Sequence, residues 1–197
     1  MKVLIIGNSS MLGMRLREKL SERHDVYTSG RDGAADFIFD LEQDQELANP
    51  ETFDTIVHCA ASFGGDTTNE MHKNEQVNAV GAFRVAKLAQ EKSCAHMVYI
   101  PTIFAYQHRK NSYFGSYGLS KRHAQENLHL WCRNAGAAFT ALLRSQIYDE
   151  AGQVRKHQPL LYHILECARR GQDVSLFGSA DPLRNYLFVG YLAEVIE

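Results

Sequence analysis

The stretch Met-Lys-Val-Leu-Ile-Ile-Gly-Asn-Ser-Ser-Met-Leu-Gly, residues 1 to 13, limits the folds open to this chain more than any other. Val3 to Ile6 form a short apolar run rich in β-branched residues, the pattern of a strand buried on both faces. Gly7 follows at once and permits a tight turn. Met11, Leu12, Met14, Leu16 and Leu20 then recur at helical spacing, with Arg15, Arg17, Glu18 and Lys19 on the polar face. Gly13 lets such a helix pack closely on the strand. Strand, glycine turn and helix together are the opening of a dinucleotide-binding unit, in which the helix N-terminus offers free N–H groups to a pyrophosphate. Ser9, Ser10, Met11 and Leu12 lie in the turn and first helical turn and join Gly7 and Gly13 as candidate cofactor contacts. Ser10 stands where a third glycine is usual.

The remaining chain repeats the alternation. Strands are predicted at 24–28, 37–39, 55–61, 97–100 and 139–143, and helices at 69–92 and 117–134, with Pro50 as a break between the third and fourth strands. That rhythm predicts an α/β fold, a doubly wound parallel sheet with helices on both faces. Residues 1–145 are assigned to the dinucleotide-binding domain and 146–197 to the start of a substrate-binding portion.

Composition removes several classes. A net charge of −2 exerts no general pull towards nucleic acid or an anionic membrane. His108, Arg109 and Lys110 form one short basic cluster, expected as a solvated loop. No apolar run approaches the ~20 residues of a membrane-spanning helix. The chain enters its core strand directly, so no cleavable leader is expected. Cys59, Cys94, Cys132 and Cys167 are widely spaced and contain no Cys-x-x-Cys, which suits free thiols in a reducing cytoplasm. The nine histidines include no metal-spaced pair, and no metal site is expected.

Two positions carry chemistry. At the end of the second strand, Ser29-Gly30-Arg31 puts a guanidinium where NAD-binding chains place a carboxylate, which favours NADP over NAD. Tyr117 and Lys121 stand at i and i+4 on one helical face, just after the fifth strand. An ammonium beside a phenol favours the charged form, so the tyrosine becomes usable as a general acid or base. Thr102 lies just past the same strand, within reach of a reacting oxygen.

These motifs, in this order, resemble the extended short-chain dehydrogenases/reductases of the NAD(P)-dependent epimerase/dehydratase type, which act on nucleotide sugars. Gly7, Ser10 and Gly13 fall on that family's Gly-x-x-Gly-x-x-Gly. Asp40-Leu41 falls on the pair beside the adenine, and Val57-His58-Cys59-Ala60-Ala61 on the segment along the cofactor. Val77-Asn78-Ala79-Val80-Gly81 falls on the helix whose asparagine supports the active site. Thr102, Tyr117 and Lys121 fall on the Ser/Thr and Tyr-x-x-x-Lys positions. The resemblance implies hydride transfer between a sugar and nicotinamide, with Tyr117 moving the proton, Lys121 also binding the nicotinamide ribose, and Thr102 orienting the reacting oxygen. It implies a nucleotide-sugar substrate contacted by Ser62, Gln146 and Arg184, and pairing of the helices at 69–92 and 117–134 across a homodimer axis.

Later motifs depart from the family pattern. Leu143-Arg144-Ser145-Gln146-Ile147-Tyr148 is one residue shorter than the family's segment, and Asn185 and Tyr191 replace its aspartates. Phe177-Gly178 and Arg184 match the segment that grips the diphosphate. Family members usually continue well beyond this length, so a truncated substrate portion is expected. These departures favour the alternative of a non-catalytic dinucleotide-binding module. The intact Thr102, Tyr117 and Lys121 oppose it.

Overall fold

The computed structural model describes residues 1–44, 47, 51–107, 113–176 and 184–197. Pro50, the basic cluster His108, Arg109 and Lys110, and the Phe177-Gly178 pair lie outside the described residues.

Strand β1 (Lys2–Ile6) is the centre of a six-stranded parallel sheet with β2 (Asp25–Gly30), β3 (Phe37–Ile38), β4 (Thr55–His58), β5 (His96–Tyr99) and β6 (Ala138–Ala141). The order is β3-β2-β1-β4-β5-β6. The sheet reverses between β1 and β4, where Ile6 lies opposite both Ser29 and His58. A crevice opens at such a reversal, beyond the carboxyl ends of the strands.

Both faces of the sheet are covered, so β1 is apolar from Val3 to Ile6. Leu4 and Ile6 point to one face and Val3 and Ile5 to the other, as the period of two requires. The first face packs on α3 (Gly81–Glu91) and α4 (Ser116–Ala135) through Val85, Leu88, Ala124 and Leu128. The second packs on α1 (Met11–Leu20) through Leu12 and Leu16, and on α6 (Val189–Ile196) through Val189, Leu192 and Ala193. Residues near the chain's end therefore complete the core of the first sheet.

The predicted helix over 69–92 runs without a gap from 68 to 91, but it is not α-helical throughout. It comprises α2 (Thr68–Asn74), a π-helical segment over Glu75–Val80, and α3. Apolar spacing cannot register the wide turn, within which Asn78 makes the contacts described below. A 3-10 turn at Ile103–Tyr106 lies in the connection between β5 and α4. Beyond β6 the chain forms β7 (Gln146–Tyr148), α5 (Pro159–Arg170) and β8 (Tyr186–Phe188), with β7 and β8 paired in parallel.

Candidate active site

The cleft at the strand ends has two contiguous halves. The first, of about 430 Å³, lies over Gly7, Ser29, Gly30, Arg31, Asp40 and Ala60. The second, of about 610 Å³, lies over Met11, Cys59, Tyr117, Lys121, Arg144 and Gln146. Ser9, Ser10, Ala61 and Phe63 border both.

Ser10 meets the turn in a definite way. Its Oγ donates to the Gly7 carbonyl at 2.8 Å and accepts from the Gly13 N–H at 2.9 Å. It is the N-cap of α1, and caps of this kind are worth about 1 kcal/mol. The hydroxyl thus faces into the turn. Met11 and Leu12, the first two residues of α1, keep N–H groups that no helical carbonyl can reach.

The end of β2 is covered by a neighbouring side chain. A Cβ on Gly30 would lie 1.9 Å from Asn8 Oδ1, so the Asn8 side chain occupies the place of any side chain at 30. Arg31 lines the same half-cleft. Ser29 lines it too, and its buried hydroxyl has no hydrogen-bond partner among the described residues. A ribose or phosphate oxygen would satisfy that group, so the residues present fit a dinucleotide. Asp40 Oδ1 accepts from the Glu42 N–H at 2.9 Å, and Leu41 is buried beneath the cleft.

In the other half, Tyr117 and Lys121 project from the first turns of α4. Tyr117 Oη accepts from Arg144 Nη2 at 3.1 Å, and its ring packs edge-on against Phe63 at 4.6 Å. Lys121 is only 2% exposed, with Nζ 4.4 Å from the Tyr99 ring centroid. Burial, reinforced by the Arg144 charge, lowers its pKa to about 7. Burial likewise lowers His58 to about 3, helped by Lys121, so its ring is neutral. Cys59 is pushed up to about 12 by burial against the opposing pull of Lys121 and Arg144, and remains a thiol. Lys156 and His157 complete the wall, and among the described residues no carboxylate lines this half.

The Lys121 shift has a measurable consequence. The folded chain holds this proton only below about 7, whereas an unfolded chain holds it up to the ordinary 10.5. Between those values the unfolded state binds more protons, so this group makes stability rise with pH. Below 7 the full penalty is present. Lys121→Met is therefore expected to raise stability by on the order of a few kcal/mol at neutral or lower pH. The gain should vanish towards pH 10.5. Thermal denaturation of both proteins across this range checks it, and a pH-independent difference would contradict the assignment.

Asn78 and Thr102 act from behind the cleft. Asn78 Oδ1 accepts from the Ser62 N–H at 2.8 Å, and its Nδ2 donates to the Ser62 carbonyl at 3.0 Å and to Ser120 Oγ at 2.9 Å. One turn earlier, Asn74 makes the matching set, with Nδ2 to Ser116 Oγ at 2.7 Å and Oδ1 to the Gly64 N–H at 3.1 Å. Two buried asparagines thus pin the loop after β4 to the helix that carries Tyr117 and Lys121. The wide turn at 75–80 begins just after Asn74 and contains Asn78, and π-turns recur at functional sites. Thr102 is 1% exposed, pairs with Arg144 in an isolated bridge, and accepts from the Phe104 N–H at 3.4 Å. It lines neither half of the cleft.

Of the substrate candidates, Ser62 lines the first half-cleft and Gln146 the second. Arg184 is exposed and lines neither. Asn185 accepts from Ser145 Oγ at 2.8 Å, and Tyr191 is exposed with its ring against Phe188. Sequence reasoning misses Arg144 as a site residue, although it stands in the Leu-Arg segment. It also misses Asn74, whose only signal is its position four residues before Asn78.

The model of the NAD dependent epimerase/dehydratase family matches residues 3–197. A putative UDP-glucose 4-epimerase of Methanocaldococcus jannaschii is 20% identical over 217 residues, covering 98% of this chain and 71% of that protein. Among solved structures, the UDP-glucose 4-epimerase of Thermotoga maritima with UDP-glucose matches with a TM-score of 0.78 at 16% identity, over 98% of this chain and 71% of that one. A GDP-L-fucose synthetase of Naegleria fowleri bound to NADP matches with a TM-score of 0.73 at 15% identity, over 99% and 71%. Among the described residues, no helix is long and apolar enough to cross a membrane.

Proposed function

Because the chain belongs to the NAD dependent epimerase/dehydratase family, of the extended short-chain dehydrogenase/reductase type, we propose that it is an NAD(P)-dependent epimerase or keto-sugar reductase acting on a nucleotide-linked sugar. The observation that carries this reading is the continuous cleft, with the α1 N-terminus bordering it and Tyr117 and Lys121 lining its far half. When bound, a nicotinamide dinucleotide takes up or returns a hydride.

The chain's own residues supply orientation and proton transfer. Met11 and Leu12 would present N–H groups to a pyrophosphate. Lys121 would hold the nicotinamide ribose. Tyr117 takes the hydroxyl proton of the sugar as the alcohol becomes a carbonyl, and returns it in the reverse step. Asn78 and Asn74 keep the Ser62–Gly65 loop against α4, which fixes the width of the cleft at Phe63. Thr102 contributes through the 103–106 turn it caps.

Arg31, with the unpartnered Ser29 hydroxyl beside it, supports a preference for the 2′-phosphate of NADP. Purified protein is expected to bind NADPH more tightly than NADH in a fluorescence titration, and Arg31→Ser to reduce that preference about tenfold, as loss of one charged hydrogen bond would. Equal affinities in the unmodified protein would remove this role for Arg31. The activity is tested with UDP-glucose, the ligand bound in the Thermotoga structure. Turnover with the dinucleotide retained marks an epimerase; a keto-sugar substrate consuming one NADPH per turnover marks a reductase. Dinucleotide binding with no turnover on either would favour a non-catalytic module.

A further inference from the structure

Arg144 belongs to neither the Tyr-x-x-x-Lys pair nor the glycine turn, yet it is the residue that touches the Tyr117 oxygen. Its Nη2 lies 3.1 Å from Tyr117 Oη, and its Nη1 donates to the Ser145 carbonyl at 3.2 Å. Its backbone is tied down as well. Thr102 and Arg144 form a parallel bridge, and the Ile103 N–H donates to the Arg144 carbonyl at 3.0 Å. The guanidinium is thereby held at two points, and among the described residues it forms no ion pair.

We propose that Arg144 is a catalytic residue of this site, which turns the Tyr117 proton into the cleft and holds the phenol oxygen's charge once that proton has left. The inference rests on the reading of Tyr117 as the acid/base. Its physical basis is the donor inventory. A guanidinium has five N–H donors and no acceptor, so in this contact the phenol oxygen must accept. The phenolic hydrogen then takes another direction, and the open side of Tyr117 is the cleft. Lys121 is placed differently, over the Tyr99 ring, so the two cations divide the work: Arg144 on the phenol, Lys121 along the cleft floor.

The proton count closes without Arg144 exchanging a proton. When Tyr117 gives its proton to a carbonyl oxygen as hydride arrives at the carbon, a phenolate remains against a permanent cation. The contact is charge-assisted from the start, and the attraction between a full anion and the guanidinium is added when the phenolate forms, so the contact tightens as the charge develops. In the reverse step the phenolate takes the hydroxyl proton and the contact relaxes. The other ionisable groups facing Tyr117 and Arg144 are Lys121, Tyr99, Cys59 and His157, with Lys156 beside the last. With no carboxylate among the described wall residues, no competing anion draws the guanidinium away.

The test has an arm that needs neither cofactor nor substrate. In protein labelled with 13Cζ-tyrosine, the Tyr117 resonance is identified by its loss in Tyr117→Phe. At fixed pH, Arg144→Met is expected to shift that resonance, Arg144→Lys to shift it less, and the tyrosine resonances other than those of Tyr117 and its neighbour Tyr99 to stay in place. A Tyr117 resonance unmoved in Arg144→Met overturns the proposal. In the second arm, with UDP-glucose and dinucleotide, Arg144→Met is expected to lower kcat about 100-fold, the usual cost of removing one donor from a developing oxyanion. Dinucleotide affinity should be unchanged, and added methylguanidinium should restore part of the rate to Arg144→Ala. Unchanged kcat in Arg144→Met also overturns the proposal. If Arg144→Met does not fold, Arg144→Lys carries both arms. If the unmodified protein does not turn over UDP-glucose, the proposed function is what fails, and the resonance still decides whether Arg144 holds the phenol.

Discussion

Tyr117→Phe is expected to lower turnover by about 100- to 10,000-fold, the range for loss of a positioned general acid or base. Binding should be spared, because only the hydroxyl is removed. The ring keeps its edge-on contact with Phe63, and Lys121 keeps its place over Tyr99. NADPH affinity is therefore expected to stay within about threefold, a change below 1 kcal/mol. Steady-state kinetics with UDP-glucose and a fluorescence titration with NADPH separate the two quantities. Full turnover in the variant would end the assignment of Tyr117 as the proton carrier. A parallel loss of NADPH affinity would mean that the hydroxyl serves binding.

Gly13→Ala sets two effects against each other. Alanine is a better helix former than glycine by about 1 kcal/mol, and Gly13 sits within α1. Against this, a Cβ at 13 would lie 2.2 Å from the Gly7 carbonyl oxygen and 2.9 Å from Ser10 Oγ. The nearer atom is backbone and has no rotamer to change. Overpacking of this kind, with the backbone shifts it forces, typically costs about 1–3 kcal/mol. The clash is expected to win, with a net loss of about 1 kcal/mol or more in denaturation. The larger effect falls on the ligand, since α1 can relieve the contact only by moving its N-terminus, the group proposed to hold the pyrophosphate. NADPH affinity is expected to fall at least tenfold, equivalent to about 1.4 kcal/mol. A stabilised variant with unaltered NADPH binding would show that the turn yields freely and that the α1 N-terminus is not the anchor.

Much of the first sheet is legible in the sequence alone. Val3–Ile6, Phe37-Ile38 and Met97–Tyr99 are apolar or β-branched runs flanked by turns, and each lies within a strand. Where boundaries differ, register is the reason. The run that predicts the fourth strand continues through Ala61, yet β4 ends at His58. At the carboxyl end of the strands Cys59 and Ala60 both donate to the Ile6 carbonyl and the chain turns away. The second strand runs on to Gly30, since Ser29 and Gly30 pair with β3. The end of the chain is less legible. β7 and β8 are three residues each, too short for periodicity to register, and they exist because Gln146 to Tyr148 meet Tyr186 to Phe188. The apolar residues of α6 require that one face of it be buried, and nothing in them names α1 as the partner.

The division follows from the range of the forces. What the amino-acid sequence determined by itself is local: a tight glycine turn between a strand and a helix, a guanidinium instead of a carboxylate after β2, and a phenol and an ammonium one helical turn apart. Tertiary structure alone decided which distant groups meet. It brought Arg144 to the Tyr117 oxygen across 27 residues, and set Asn74 and Asn78 against Ser116 and Ser120 across 42. It turned the Ser10 hydroxyl into the Gly7–Gly13 turn, and it put Asn8 over Gly30. Hydrophobic patterning selects which face of an element is buried, because burial depends only on that element's own periodicity. It is blind to which partner covers that face, and the polar contacts of the site form only after that partner is in place.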